Sequence, residues 1–425
     1  MTFITNTTTT FQDSQYDAFA RIRMSQPYTL FQVSHNVAIG GALTPRSDVI
    51  SQKITGGGNI EWKDNESAVN MIVSSNGDDV IRQSRPYITY QPGKSLLILC
   101  TGVLNADNNN VSTVTSRIGY FDDENGIFFQ YGGIQALSIV LRSYTSGSVV
   151  DSEISQSSWN IDKMDGTGIS GITLNASYAQ IFIIDLEWLG VGRVRVGIIV
   201  DGKIYYAHQF LNANSIDTTY MTRGSLPIRY QISSTSSTSG AGTLKMICAT
   251  AISEGGFENI GNPFSVGLLN EITDITNSNT NPQVVAAIKL RADSPYNRVV
   301  CKLLSAILMS STNANIVYSI YNYITTPPTF FDTQIWNNVN ENYSAMQYLT
   351  SINNSTVLNN ETDGIKIFSG FFSNNTDFDA NTLEKTVEIT SNVDGDSSNV
   401  IVLTAYSLNG NESIIGSIRW TEFAT

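Results

Sequence analysis

Asp185 and Glu187 stand one residue apart in the run IFIIDLEWL. Paired acids are what a glycosidase places on either side of the bond it cleaves. Their neighbours argue for another role. Arg193 and Arg195 follow in RVRVGIIV, and a guanidinium beside a carboxylate lowers its pKa, whereas a general acid needs it raised. The expected arrangement is a structural cross-strand network of Glu187, Arg195 and His208. If Gly190, Val191 and Gly192 form a three-residue loop, Glu187 faces Arg195; if Asp201-Gly202 is a two-residue turn, Arg195 faces His208.

Other catalytic machinery is sparse. The chain has two histidines, His35 and His208, far apart in sequence, so a Ser-His-Asp site or a His-ligated metal would have to be built from one of them. The three cysteines, Cys100, Cys248 and Cys301, lie in the apolar runs LLILC, LKMIC and VVCKLL. Their wide spacing fits no zinc pattern and an odd count argues against a disulfide framework, so buried free thiols are expected. Asp122, Asp123 and Glu124 in GYFDDENGIFF offer oxygen ligands for Ca²⁺, but the full loop spacing is missing and a solvated hairpin tip is the expected reading. No catalytic residue, metal ligand or cofactor is assigned.

The elements that would position these residues are strands. Phe182, Ile184, Leu186, Trp188, Val194, Val196, Ile198 and Val200 alternate with polar positions and predict one apolar sheet wall, with Asp185, Glu187, Arg193, Arg195 and His208 on the opposite face. Short β-prone runs recur from Pro86 to Gly261 and again after Pro282, and no helical stretch exceeds two turns convincingly. The expected fold is all-β: two antiparallel, jelly-roll-like β-sandwiches preceded by an extended N-terminal arm. The expected boundaries are 1–85 for the arm, 86–265 for a sandwich of about ten strands and 283–425 for a second of about eight, with a polar linker over 270–282.

Composition narrows the function. The chain has 425 residues, of which 14% are charged, and 37 acids against 24 bases give a net charge of −13. No run of Lys or Arg exceeds a pair, so a nucleic-acid surface, which needs clustered cations, is not expected. The first residues, MTFITNTTTTF, lack the pattern of a secretory signal, and no apolar window approaches the length of a membrane span, so membrane insertion is not expected.

The segment DSQYDAFARIRMSQPYTLF, Asp13 to Phe31, resembles the opening of a family of virion structural proteins of marine tailed phages, which has counterparts in large algal viruses. The family pattern D-A-F-G-R-L-R-V-S-x-P-x-T-L-F is matched at Asp17, Ala18, Phe19, Arg21, Arg23, Ser25, Pro27, Thr29, Leu30 and Phe31, with Ala20 in place of the glycine. The likeness continues through YQPGKSLLILCTGVL, WNIDKMDGTGISGITL and the IDLEWLGVGRVRVG pair to about Gly256, then fades until RWTEFA. It implies a fibre, spike or capsid-associated component of the virion, assembled in the host cytoplasm, without a known catalytic centre. On this reading the chain is not an enzyme. It is expected to assemble with itself, as a trimer, and with other virion proteins, and Phe19, Ile22, Tyr28, Leu30 and Phe31 would anchor the arm on a neighbour. The alternative is a receptor-binding module for host-surface glycans, with Trp159 and Trp336 as the partly exposed aromatics. A depolymerase spike is disfavoured because no period of 20 to 30 residues is visible.

Overall fold

The computed structural model describes residues 26–108, 113–132, 136–235, 242–267, 273–276, 282–310, 314–324, 329–350, 364–373, 375–379 and 387–423. The first fifteen strands are β1 (Tyr28–Ser34), β2 (Ile50–Thr55), β3 (Asn59–Lys63), β4 (Ala68–Val73) and β5 (Asp79–Ser84). They continue with β6 (Leu96–Val103), β7 (Val114–Phe121), β8 (Gly126–Gly132), β9 (Leu137–Ser143) and β10 (Val150–Ser155). The series closes with β11 (Gln180–Leu186), β12 (Arg193–Val200), β13 (Lys203–Leu211), β14 (Ile228–Ser234) and β15 (Gly242–Ser253).

These strands build one antiparallel sandwich. One sheet runs β13-β12-β11-β6-β15-β4-β3, with β1 also on β15, and the facing sheet runs β10-β9-β8-β7-β14-β5-β2. The alternation read in β11 and β12 puts Phe182, Ile184, Leu186, Val194, Val196 and Ile198 in the shared core, fully or almost fully buried. Trp188 and Val200 are half-buried and pack against it. Asp201 and Gly202 turn between β12 and β13 with φ of 48° and 76°, the type I′ values that pair Val200 with Lys203.

Two details of register differ from expectation. The β11–β12 loop spans Trp188 to Gly192, closed by the Gly192 N–H donating to Trp188 O at 2.9 Å, so Arg195 pairs with Asp185 and Glu187 faces Arg193 through its main chain. A bulge at Ala207 then pairs Val196 with His208, and His208 turns to the inner side, where it is buried. The longer β11–β12 loop moved the ion pair two positions along β11, and the extra residue at the Ala207 bulge removed His208 from the charged face.

The arm boundary is also corrected. Residues 28–84 supply five strands of the first sandwich: β1 continues the sheet beside the second half of β15, and β5 lies between β14 and β2. Phe31 and Val33 are buried in its core, Leu30 packs on it, and Tyr28 stacks on Phe257 of the same chain at 5.5 Å. The polar, glycine-punctuated texture of this region reflects tight turns between short strands. Gly58, for instance, sits so close to Val80 that a Cβ would approach its Cγ2 to 2.6 Å. Phe19 and Ile22 lie outside the described residues.

The second sandwich begins earlier than position 283. Its strands are β16 (Asn262–Gly267), β17 (Thr273–Ile275), β18 (Gln283–Leu290), β19 (Val300–Ser310), β20 (Ile316–Tyr323) and β21 (Asn337–Asn338). They continue with β22 (Met346–Thr350), β23 (Ile365–Phe372), β24 (Asn375–Asp379), β25 (Glu388–Ile389), β26 (Val400–Ser407) and β27 (Glu412–Phe423). One sheet is β16-β27-β19-β24 with β17 and β25 attached, and the other is β21-β22-β18-β26-β20-β23. β17 lies inside the stretch expected to be linker, because β27 is long enough to pair with β16, β17 and β19. Among the described strands no sheet is shared by the two sandwiches. They dock through side chains: Tyr87, Val300 and Phe423 form a small apolar cluster with Phe257, and Lys53 pairs with Asp394 at 2.5 Å.

Candidate functional site

The expected network on the first sandwich exists with one changed member. Asp185 is buried, accepts from the Arg195 guanidinium and takes the Tyr206 hydroxyl at 2.9 Å. The Arg195 guanidinium lies over the Tyr206 ring, 4.4 Å from its centroid. Burial, with Asp185 beside it, pushes the Tyr206 hydroxyl up to about 12. Through Oδ2 this carboxylate is engaged in structure by an arginine and a phenol. Glu187 faces solvent. His208 accepts the Asn160 N–H at Nδ1, 3.2 Å away, and meets Phe210 edge to face.

Trp159 is a core residue and not an exposed platform. It is 4% exposed, donates from Nε1 to Ile154 O at 3.1 Å, and meets Phe129 at 83°. The polar loop that carries it folds back because Asp162 accepts from the Met164 and Ser170 N–H groups. Polar neighbours in sequence therefore gave no sign of the indole's burial.

The acidic hairpin is solvated only in part: Asp123 is exposed, while Asp122 is buried. Asp122 is buried and lies 3.3 Å from Arg298 of the second sandwich, Asp123 lies 2.5 Å from the buried Arg229, and Glu124 lies 3.0 Å from Arg298 and 3.6 Å from Arg223. Burial alone would raise the Asp123 pKa, but the Arg229 charge outweighs it and holds the carboxyl below its usual range. Each acid thus has a cation, and the cluster fastens one sandwich to the other. Among the described residues no group of three or more His, Cys, Asp or Glu side chains could hold a metal ion. Cys100 and Cys301 are buried free thiols, as expected, while Cys248 is half-buried.

Trp336 is where chemistry-bearing side chains converge on open space. It lies just after the 3-10 turn Thr329–Thr333, whose Phe331 is buried against Tyr323. The indole is fixed from below by its Nε1 donating to Phe331 O at 3.1 Å. Lys289, from β18, sets its Nζ 4.3 Å from the ring centroid. Burial lowers the Lys289 pKa, and the Asp332 charge partly restores it. These side chains border a cleft of about 350 Å³ together with Asp396 and Ser397, which are exposed on the turn before β26. Asn392 holds one oxygen of Asp396 at 2.7 Å, and Ser398 is fixed by accepting the Leu290 N–H at 3.0 Å.

The cleft has an apolar floor of Phe331, Leu290 and Val400 and a charged rim, and its volume falls within the range of roughly 300–1,000 Å³ seen for small-molecule sites. Its aromatic edge, carboxylate acceptors and serine hydroxyl match a polyol with apolar C–H faces. Of its members, sequence reading picked Trp336 alone. Asp332 and Asp396 sit in TFFDTQIW and NVDGDSS, turn-rich segments more than sixty positions apart, and only the sheet order brings them together.

The described strands thus define an all-β protein of two antiparallel, jelly-roll-like sandwiches. No family model matches the chain, and no curated protein matches it. Among solved structures, 56% of it is similar to the whole of an endo-1,3-beta-glucanase from Streptomyces sioyaensis, at 8% identity and a TM-score of 0.37. A legume lectin-like domain from Entamoeba histolytica matches over 47% of this chain and 89% of its own, at 9% identity and a TM-score of 0.27. The CBM2 module of the evolved Dit of Lactobacillus casei BL23 phage J-1 matches over 56% of this chain and all of its own, at 6% identity and a TM-score of 0.32. At these scores the likenesses carry no functional argument.

Proposed function

We propose that this chain is a non-enzymatic structural protein of a virus particle that recognises host-surface glycan at the Trp336 cleft. The observation that carries the recognition is the cleft itself: an indole, a lysine, two aspartates and a serine from three separated segments border one open space. Sugars need both an apolar face and paired hydrogen-bonding groups, and a site of this composition offers both. The virion role rests on the resemblance of the Asp13–Phe31 segment and its continuation to about Gly256. In this reading the chain assembles with copies of itself, in threes, and with other virion proteins.

A glycan array probed with the purified chain tests the recognition. Retention on host-surface glycans supports it, and an array on which nothing is retained removes it. Antibody labelling of intact particles tests the virion role separately: unlabelled particles from infected cells that contain the protein would refute it.

A further inference from the structure

The mouth of the Trp336 cleft is short of positive charge. Of the described side chains that border it, Asp332 and Asp396 are acidic and Lys289 alone is basic. Asp332 and Ser397 are exposed, and among the described residues neither side chain has a hydrogen-bonding or ion-pair partner. Asp396 is exposed too, and only one of its oxygens is held, by Asn392 at 2.7 Å. Lys289 does not offset these acids at the mouth: the side chain is half-buried and its ammonium lies over the Trp336 ring, 4.3 Å from the centroid. Cations on the adjoining segments are committed elsewhere. Arg291 forks onto Asp293 at 2.9 and 2.7 Å, and Lys53 pairs with Asp394 at 2.5 Å.

We propose that this cleft sorts glycans by charge, taking sugars that carry a protonated amine ahead of neutral ones and turning away those that carry a carboxylate. The sorting deepens the assignment of the cleft to glycan and rests on it. An ionised carboxylate accepts hydrogen bonds and donates none, while an ammonium brings three donors and a full positive charge. A sugar amine therefore meets Asp332 and Asp396 with opposite charge as well as hydrogen bonds, and a hydroxyl meets them with hydrogen bonds alone. A carboxylate on the sugar brings no donor and faces two like charges. The apolar floor of Phe331, Leu290 and Val400 strengthens both effects, because charges beside low-dielectric surface are less screened than in water. The ring itself is already used in this way: Lys289 holds an ammonium against the Trp336 indole, the arrangement that suits a cation on an aromatic face.

Calorimetric titration of the full chain tests the sorting. The probes are trimers of glucose, galactose and mannose, each in its neutral, amino and uronic acid form, at about pH 6, where amines are protonated and exposed carboxyls ionised. For whichever backbone is bound, the amino form should bind about tenfold tighter than the neutral form or better, and the uronic form should bind most weakly. Raised salt should shrink the amino advantage. The double substitution Asp332→Asn and Asp396→Asn, at two exposed positions, should bring the ratio of amino to neutral affinity to within about twofold; should that variant fail to fold, each single substitution should narrow the ratio severalfold. Equal affinities for the three forms, an amino advantage that survives the substitutions, or tightest binding of the uronic form with its loss in Lys289→Met would each overturn the sorting and leave glycan recognition in place. Absence of binding by any of the trimers would overturn the glycan assignment of the cleft, and the sorting with it.

Discussion

Arg298 of the second sandwich reaches the buried carboxylate of Asp122 in the first, at 3.3 Å, and Glu124 beside it at 3.0 Å. The Asp122 carboxylate also accepts the Glu124 and Asn125 N–H groups through Oδ1, at 2.9 and 2.8 Å. Its Oδ2 is buried without a hydrogen bond of good geometry, so the arginine charge is what compensates it. The hairpin therefore couples the two sandwiches through an ion pair shielded from water.

Removing that partner should be costly. Arg298→Ala leaves Asp122 buried and uncompensated and should cost about 2–4 kcal/mol in chemical denaturation of the whole chain. Lys53→Ala breaks an inter-sandwich pair whose side chains are 40% and 43% exposed, and it should cost less than about 1 kcal/mol. Equal losses would show that the hairpin cluster does not fasten the sandwiches.

The β11–β12 register makes a second ordering. Asp185→Ala strands the Arg195 guanidinium and the Tyr206 hydroxyl and should cost about 1–3 kcal/mol, whereas Glu187→Ala, an exposed side chain, should change stability by no more than about 0.5 kcal/mol. Trp188→Ala should cost roughly 3 kcal/mol, since the indole packs on Gly224, meets Tyr90 edge to face and donates to Met221 O at 3.1 Å. Melting curves of the three variants check the order. A larger loss for Glu187 than for Asp185 would restore the pairing expected from sequence.

Much of the fold was legible because alternation is written residue by residue. Phe182 to Leu186 and Val194 to Ile198 face the core as their spacing requires, and Asp201-Gly202 makes the turn its residue types demand. Register was less legible. It depends on loop closure at Gly192 and on the bulge at Ala207, where one extra residue shifts His208 from one face to the other. Burial of polar stretches was least legible: Trp159 sits in a polar loop, and Asp122 looks like a solvated turn until Arg298, from a distant segment, closes over it. The Trp336 cleft shares this difficulty, since its acids come from unrelated turns.

His35 should make the first sandwich acid-sensitive. Burial chiefly, with the Arg82 and Arg46 charges nearby, lowers its pKa from 6.5 to about 4, and its bond to Ile247 O at 2.7 Å offsets this only in part. Unfolded His35 takes up its proton near pH 6.5 while the folded chain resists until about pH 4, so between those values the unfolded state binds more protons. Stability from this residue is complete above pH 6.5 and falls as pH drops towards 4, by about 3 kcal/mol in all. Denaturation at stepped pH checks this, and His35→Gln should flatten most of that slope. His208, whose pKa burial also lowers, and carboxylates that the fold shifts, Asp123 among them, supply the remainder. An unchanged slope in the variant would mean that His35 is not held neutral.

The most direct measurement is saturation-transfer NMR of neutral oligosaccharides with the full chain, set beside Trp336→Ala and Asp396→Asn. Both substitutions lie at the cleft border, where Trp336 is half-buried and Asp396 exposed, so the two sandwiches should remain folded. Binding by the native chain, with affinity reduced tenfold or more in each variant and an unchanged fold, is the expected result. Glycan binding that survives both substitutions, or no binding by the native chain to any oligosaccharide tested, would contradict recognition at this cleft.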